Sequence, residues 1–396
     1  MTDPSVNDAA FLVRDCVDCL PSEALDRRLA TGRPLRVKLG LDPTAPDVHL
    51  GHTVVLRKLR EFQDRGHVVV LIIGDYTARV GDPSGRSATR PALSGEQIDS
   101  NARTYVQQAC KVLDAERIEL RHNSEWLDMA MVELFVLART TTVAQLLERD
   151  DFSKRHAAHE PISVLELLYP LMQAYDSVAV RADVELGGTD QKFNLLLGRD
   201  VQRAYGVDEQ VVLTMPILTG LDGERKMSKS LANHIAVDET PEEIYGKTLS
   251  LPDAAMAGWF RLLLSEPEPA ALSARDAKHL LARRLVERLH STSQANAAAA
   301  RFDRIFVRHE PPGDLEDAVF DATDGAVHLP ALIAQGFGRS RSDARRLLSQ
   351  GAVKLDGTAL SEADLDIAAE RLDGAVLQVG KRAFRRLRAR EEPNAG

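Results

Sequence analysis

The chain has 396 residues, 44% hydrophobic and 28% charged, with a net charge of −9. That length exceeds what one hydrophobic core normally organises, so two or three domains are expected. The composition is that of an ordinary globular protein, and the longest purely apolar run, Val68–Ile73, is far too short to span a bilayer. Met1-Thr2-Asp3-Pro4 shows no basic start before an apolar stretch, so no secretory leader is expected. Cys16, Cys19 and Cys110 are an odd, small set that points to a reducing cytoplasm rather than a disulfide framework.

Residues 5–30 read as helical. Cys16-x-x-Cys19 falls inside that stretch with no second Cys/His pair at metal spacing, so ordinary packing and no metal site are expected. Val37–Leu41 reads as a strand, followed by the turn-rich Asp42-Pro43-Thr44-Ala45-Pro46-Asp47. Val55, Leu59 and Phe62, at i, i+4 and i+7, predict a helix that Gly66 ends, and Val68–Gly74 reads as a second buried strand. Strand, loop, helix and strand within about forty residues form a βαβ unit. The alternation continues to about Thr219, which predicts an α/β domain over 1–220 built on a Rossmann-type doubly wound parallel sheet.

Residues 221–325 carry helical periodicity with few strand signals, punctuated by Pro252, Pro267 and Pro269, and are expected to form an α-helical domain. Polar Pro/Gly-bearing links lie at 310–314 and 321–325. The segment 326–396 reads as helix (Leu329–Gln335), helix (Ser342–Leu348), strand (Ala352–Leu355), turn (Asp356-Gly357) and strand (Ala375–Val379), a small α+β module. From His328 onward there are 12 Lys and Arg against 9 Asp and Glu, so this end is +3 while the rest is −12. Six basic side chains and Phe384 fall within Lys381–Arg390.

Two short signatures carry chemistry. His49-Leu50-Gly51-His52 sits where the first strand hands over to its helix. Backbone amides at a helix N-terminus attract anions, Gly51 permits close approach, and two imidazoles there can donate to triphosphate oxygens. Lys226-Met227-Ser228-Lys229-Ser230 follows the glycine-bracketed Thr219–Gly223, and its lysines suit a leaving pyrophosphate. Either run alone fits a capped helix or a solvated basic loop; together and in this order they describe a site for ATP phosphates. Gly81-Asp82-Pro83-Ser84-Gly85-Arg86 lacks Walker spacing, and no Gly-x-Gly-x-x-Gly follows the first strand, which disfavours a P-loop ATPase and a nicotinamide dehydrogenase. Tyr169, Gln173 and Asp176, at i, i+4 and i+7, place a phenol, an amide and a carboxylate on one helix face, and the apolar neighbours Leu167, Leu168, Leu171 and Met172 suggest that this face lines a cavity.

The two signatures resemble those of class I aminoacyl-tRNA synthetases. Leu41–Ala45, Gly81–Gly85, Tyr169–Asp176 and Leu186–Gln191 narrow the resemblance to bacterial tyrosyl-tRNA synthetases, from about Leu35 to Arg388. The resemblance implies catalysis by His49, His52, Lys226 and Lys229. It implies ATP contacts at Gly40, Asp42, Thr44, Gly51, Gly188, Asp190, Met227 and Ser228 as well. For L-tyrosine it implies Asp82, Tyr169 and Gln173 at the ammonium, Asp176 at the phenolic hydroxyl, and Asn123 and Gln191 nearby. Many members carry tyrosine at the position of Lys38; here Lys38 either helps hold the hydroxyl or pairs with an acid and leaves that task to Asp176. Arg339, Arg341, Arg345, Arg346, Lys354, Lys381 and Arg382 lie in a module similar to a small RNA-binding domain, implying contact with tRNA(Tyr). ATP with Mg²⁺ is the implied co-substrate, with no tightly bound cofactor. A homodimer through the long helical stretch Val132–Asp151 is implied, with no membrane contact. The competing readings are a tryptophanyl enzyme, which shares both signatures, and an RNA-binding protein that has lost the activity.

Overall fold

The computed structural model describes residues 4–43, 47–82, 94–308, 310–311, 315–322, 325–380 and 383–390. Two compact units cover residues 1–295 and 296–396. In the first, six strands form one sheet: β1 (Asp18–Leu20), β2 (Arg36–Leu41), β3 (Val68–Ile73), β4 (Ile118–His122), β5 (Val184–Gly188) and β6 (Val211–Met215). Their order is β1-β6-β5-β2-β3-β4, with β2 to β6 mutually parallel and β1 antiparallel to β6. A parallel sheet must be covered on both faces, which is why β3 is apolar without alternation and buried from Val69 to Ile73. From β2 the chain crosses through the helix Leu50–Asp64 to β3 on one side and returns on the other as β5. The order reverses between β2 and β5, so a crevice opens beyond their carboxyl ends. This is the predicted α/β doubly wound architecture.

Three expectations need correction. Residues 5–30 are not one helical run: helices Pro4–Leu12 and Ala24–Leu29 flank β1. β1 is stabilised by distant partners, since it pairs with β6 and Asp18 accepts from Thr214 Oγ1 at 2.6 Å and Lys192 Nζ at 2.6 Å. Cys16 and Cys19 therefore sit outside a helix; both pack against the core, and burial pushes the Cys16 thiol up to about 12. The stretch Val132–Asp151 is broken into Met131–Ala138, Val143–Leu146 and the start of Asp150–Ala157. Thr142 leaves the helical region and caps the next helix by accepting from Gln145 N, the competition with the helix that Thr side chains offer. Residues 221–325 are helical at Pro241–Leu249, Ala274–Leu289 and Thr292–Phe302, but they also supply a strand, β7 (Asp317–Phe320), whose partner lies near residue 386.

In the second unit β7 is joined by β8 (Ala326–His328), β9 (Val353–Leu355), β10 (Thr358–Leu360), β11 (Asp366–Ala368), β12 (Val376–Val379) and β13 (Ala383–Ala389). The five-stranded sheet runs β10-β9-β12-β13-β7, beside a β11-β8 pair. Helices Leu329–Phe337 and Arg341–Ser349 close its core through Leu332, Ile333, Ala344 and Leu348. Gly338, at φ 63°, ends the first helix in the left-handed conformation, and Ser340 caps the second by accepting from Asp343 N. No described helix is long and apolar enough to cross a membrane.

Candidate active site

One wall of the crevice begins at His49. It caps the helix Leu50–Asp64 in extended conformation, and its Nδ1 accepts from Gly51 N at 3.2 Å. His52 Nδ1 accepts from His49 N at 3.1 Å, so the two histidines form a reciprocal capping box with ring centroids 3.9 Å apart. With both Nδ1 atoms accepting, each neutral ring carries its proton on Nε2 and can donate from there. Burial, His52, His234 and Lys229 drive the His49 pKa down to about 2; burial and Lys229 drive His52 to about 4. Gly51 has no room for a side chain, because a Cβ would lie 2.9 Å from His49 Cε1.

The second signature is strapped across this helix start. Leu50 N donates to Ile235 O at 3.0 Å and Val237 N to Val48 O at 3.0 Å. Met227 is buried, its Cβ 3.7 Å from the position a Gly51 Cβ would take. Ser228 N donates to Asn233 Oδ1 at 2.8 Å, and Asn233 Nδ2 donates to Asp222 Oδ2 at 2.9 Å and Lys226 O at 3.1 Å, so Asn233 shapes the loop. Both lysines rest on carboxylates: Lys226 Nζ lies 3.2 Å from Asp190 Oδ2 and Lys229 Nζ 3.4 Å from Asp47 Oδ2. Burial lowers the Lys229 pKa against the pull of Asp47. Gly40 is open, with nothing within 4 Å of a built Cβ, whereas a Cβ at Gly188 would lie 2.8 Å from Asp190 Oδ1. Thr44 lies outside the described residues.

The other wall is the helix Val164–Ala179, opened by a Ser163–Glu166 capping box. Its Tyr169, Gln173 and Asp176 share a face, as the spacing predicted, and two chains of hydrogen bonds leave from it. Tyr169 OH donates to Asp42 Oδ2 at 2.8 Å, and Thr77 Oγ1 donates to Asp42 Oδ1 at 2.8 Å. Asn123 Nδ2 reaches Thr77 Oγ1 at 3.0 Å and Asp176 Oδ2 at 3.5 Å, and Trp126 Nε1 donates to Asp176 Oδ1 at 2.8 Å. The second chain runs from Gln173 Oε1 to Asn194 Nδ2 at 2.8 Å, to Gln191 Oε1 at 3.2 Å, and from Gln191 Nε2 to Asp82 Oδ2 at 2.9 Å. Arg149 Nη2 lies 3.5 Å from Asp82 Oδ1. Burial pushes the Asp176 carboxyl up to about 7. Lys38 pairs with an acid: its Nζ lies 2.8 Å from Glu185 Oε1 and donates to Ser177 Oγ at 2.8 Å and Gln173 O at 3.0 Å.

Sequence reasoning missed Trp126, Thr77, Arg149, Asn194 and Glu185. Trp126 lies three residues after Asn123, already expected near the substrate; the others carry no local signal. In the second unit, Arg339 and Arg346 pair with Asp343, while Arg341, Arg345 and Lys354 form no ion pair with a described residue. Lys381 and Arg382 lie outside the described residues. Among the described residues no three His, Cys, Asp or Glu side chains converge to hold a metal ion.

The family model of class I tRNA synthetases (W and Y) matches residues 30–307. A tyrosine--tRNA ligase of Moorella thermoacetica is 51% identical over 394 residues, spanning 95% of this chain and 94% of that protein. One of Thermotoga maritima is 48% identical over 389 residues, spanning 95% and 96%. Among solved structures, a C-terminally truncated mitochondrial tyrosyl-tRNA synthetase of Aspergillus nidulans superposes with a TM-score of 0.63 at 24% identity, covering 76% of this chain and 94% of that one. The Archaeoglobus fulgidus tyrosyl-tRNA synthetase complexed with L-tyrosine gives 0.62 at 23%, covering 75% and 100%. At those identities the likeness is one of fold.

The capping geometry fixes a protonation state. Folded pKa values below the unfolded value mean that both histidines are neutral at pH 6, and that they weaken the fold as pH falls from 6.5 toward about 4. Long-range ¹H–¹⁵N spectra at pH 6 will show His49 and His52 as neutral Nε2–H tautomers; imidazolium shifts at that pH would refute the assignment.

Proposed function

The chain belongs to the class I tRNA synthetases of the tryptophan and tyrosine group, and we infer that it is the tyrosine ligase. It activates L-tyrosine with ATP to tyrosyl-adenylate and pyrophosphate, then passes tyrosyl to the 3′-terminal adenosine of tRNA(Tyr). The observation that carries the choice of amino acid is Asp176, a buried acceptor at the end of a polar helix face, held by Trp126 Nε1. A phenol satisfies it. Phenylalanine brings no donor to this desolvated carboxyl, whose remaining acceptor capacity then goes unmet, and an indole brings its own bulk.

We propose the following roles. Asp82, Tyr169 and Gln173 hold the ammonium, with Asn123 and Gln191 beside the substrate. Asp42 and Thr44, with Gly40, Gly188 and Asp190, line the nucleotide. The tyrosine carboxylate attacks the α-phosphorus and is already an anion, so the step needs placement and charge stabilisation rather than a strong base. His49 and His52 donate from Nε2 to phosphate oxygens, and Gly51 lets them approach. Lys226 and Lys229 exchange Asp190 and Asp47 for the departing pyrophosphate, carried by Met227 and Ser228. Mg²⁺ enters with ATP as part of the substrate. A catalytic part over 1–220, a helical part from 221, and an RNA-binding part that takes in β7 as well as 326–396 are proposed on the same basis, with Arg339, Arg341, Arg345, Arg346, Lys354, Lys381 and Arg382 toward tRNA phosphates. A cytoplasmic setting is supported by the three free thiols.

A second copy of the chain is the proposed cover for an apolar patch. Met131, Val132, Phe135 and Val136 are 63%, 65%, 59% and 49% exposed, and Val164 and Leu165 are exposed at the start of the site helix. A solvated face does not carry so many large apolar side chains together.

Three measurements test this. Amino-acid-dependent ATP–pyrophosphate exchange is expected with tyrosine alone; exchange with tryptophan overturns the role of Asp176, and exchange with no amino acid from folded protein overturns the enzyme. The double variant Arg341→Glu/Arg345→Glu is expected to keep exchange and lose tRNA charging; unchanged charging would remove these arginines from the RNA contact. Phe135→Asp is expected to halve the mass seen by light scattering at micromolar concentration, and an unchanged mass would place the contact elsewhere.

A further inference from the structure

Lys38 and Glu185 are adjacent in the parallel register of β2 and β5, and both are buried, at 0% and 1% exposure. Two charges in the middle of a sheet are costly to desolvate, and a buried pair is weak evidence for stability in itself. This pair is fully matched. The three protons on Lys38 Nζ meet Glu185 Oε1, Ser177 Oγ and Gln173 O. Glu185 Oε2 accepts from Ser177 Oγ at 2.9 Å and from Gln210 Nε2. No proton on Lys38 is left for a substrate hydroxyl.

The anchoring points lie around one residue. Gln173 and Ser177 flank Asp176 on its helix, so Lys38 grips the turn that presents the carboxyl. The groups facing Asp176 are Lys38 from β2, Glu185 from β5, Trp126 and Asn123 from the segment after β4, and Tyr169 on its own helix, whose hydroxyl is spent on Asp42. Among these described groups Lys38 is the one cation.

We propose that the Lys38–Glu185 pair is a specificity device acting through Asp176: Lys38, anchored to the turn that carries Asp176, favours its carboxylate form, and Glu185 holds Lys38 back from pairing with it directly. The carboxylate stays free for the phenol. This rests on Asp176 as the phenol acceptor. Without Lys38, Asp176 and Glu185 are two acids in one low-dielectric pocket, and one of them takes a proton. Without Glu185, the ammonium turns to Asp176 and consumes it. Burial pushes Asp176 up to about 7, with Lys38 the largest opposing influence and Glu185 adding to the rise. A protonated Asp176 offers the phenol only a neutral hydrogen bond, the weaker kind.

The experiment is the ratio of kcat/KM for tyrosine over phenylalanine in ATP–pyrophosphate exchange, followed from pH 6 to 9. The ratio isolates the group that meets the hydroxyl. In the unaltered protein it falls as pH drops through the neutral range. Lys38→Met is expected to move that fall upward by about one pH unit, so that selectivity at pH 7 drops about fivefold and returns at pH 9. Lys38→Arg is expected to keep the original profile. A Lys38→Met profile that is uniformly lower with its fall unmoved would mean a structural role only and overturn the proposal. If Lys38→Met does not fold, Lys38→Met/Glu185→Gln decides, since it removes the Glu185 carboxylate that Lys38 would leave unpaired; its fall must still lie above that of the unaltered protein. Absence of tyrosine exchange in the unaltered protein would instead refute the functional reading beneath this one.

Discussion

The site depends on β2 and β5 lying side by side. They are parallel neighbours whose crossovers leave in opposite directions, so no helix covers the gap beyond their ends. That gap receives Asp42 from β2 and Gly188 to Gln191 from β5. Lower in the same register, the Lys38–Glu185 pair occupies the interface that the two strands share. One strand pairing thus sets both the mouth of the crevice and the charge buried under its floor.

Electrostatics divides the crevice in two. On the wall that His49 opens the fixed groups are neutral imidazoles and backbone amides, with Lys226 and Lys229 held nearby on carboxylates. Two lysines and two imidazolium ions crowded together would repel; burial and Lys229 keep the rings uncharged. They still donate, because the capping box commits each Nδ1 to a backbone amide. On the opposite wall the order is inverted: carboxyls are fixed, and their donors are amides, an indole, a phenol and a hydroxyl, with the Arg149 guanidinium beside Asp82. Under the proposed roles an ammonium and a phenol go to one side and a polyphosphate to the other, so charge helps to orient the two substrates.

Much of this was legible in sequence wherever the signal was local. Val55, Leu59 and Phe62 announced the helix that His49 caps, and the unalternating Val68–Ile73 announced a buried strand. The i, i+4, i+7 spacing of Tyr169, Gln173 and Asp176 placed three functional groups on one face. What escaped depends on partners far along the chain. Asp18–Leu20 is a strand because Val212 to Thr214 lie beside it, and β7 because β13 does. Glu185 as the partner of Lys38 follows from strand order, which no window of sequence contains. Arg149 reaches Asp82 after a helical stretch that Thr142 interrupts, and the spacing of hydrophobic residues through Val132–Asp151 masked that break.

Asp42 shows how the halves of the crevice are kept in one geometry. Its two oxygens accept from Tyr169 on the amino-acid wall and from Thr77 at the end of β3. Gly74 lies against it so closely that any Cβ there would collide with Asp42 and Thr77. Hydrogen bonds at both oxygens hold the carboxylate in this position, and only glycine at 74 leaves room for it. Asn123 extends the same constraint, joining Thr77 to Asp176 while accepting from Tyr76 N at 2.9 Å. A displacement of Asp42 is thereby coupled through Thr77 and Asn123 to Asp176. If the proposed roles hold, recognition of the side chain and placement of the nucleotide are mechanically one structure, although the residues come from four separate stretches of the chain.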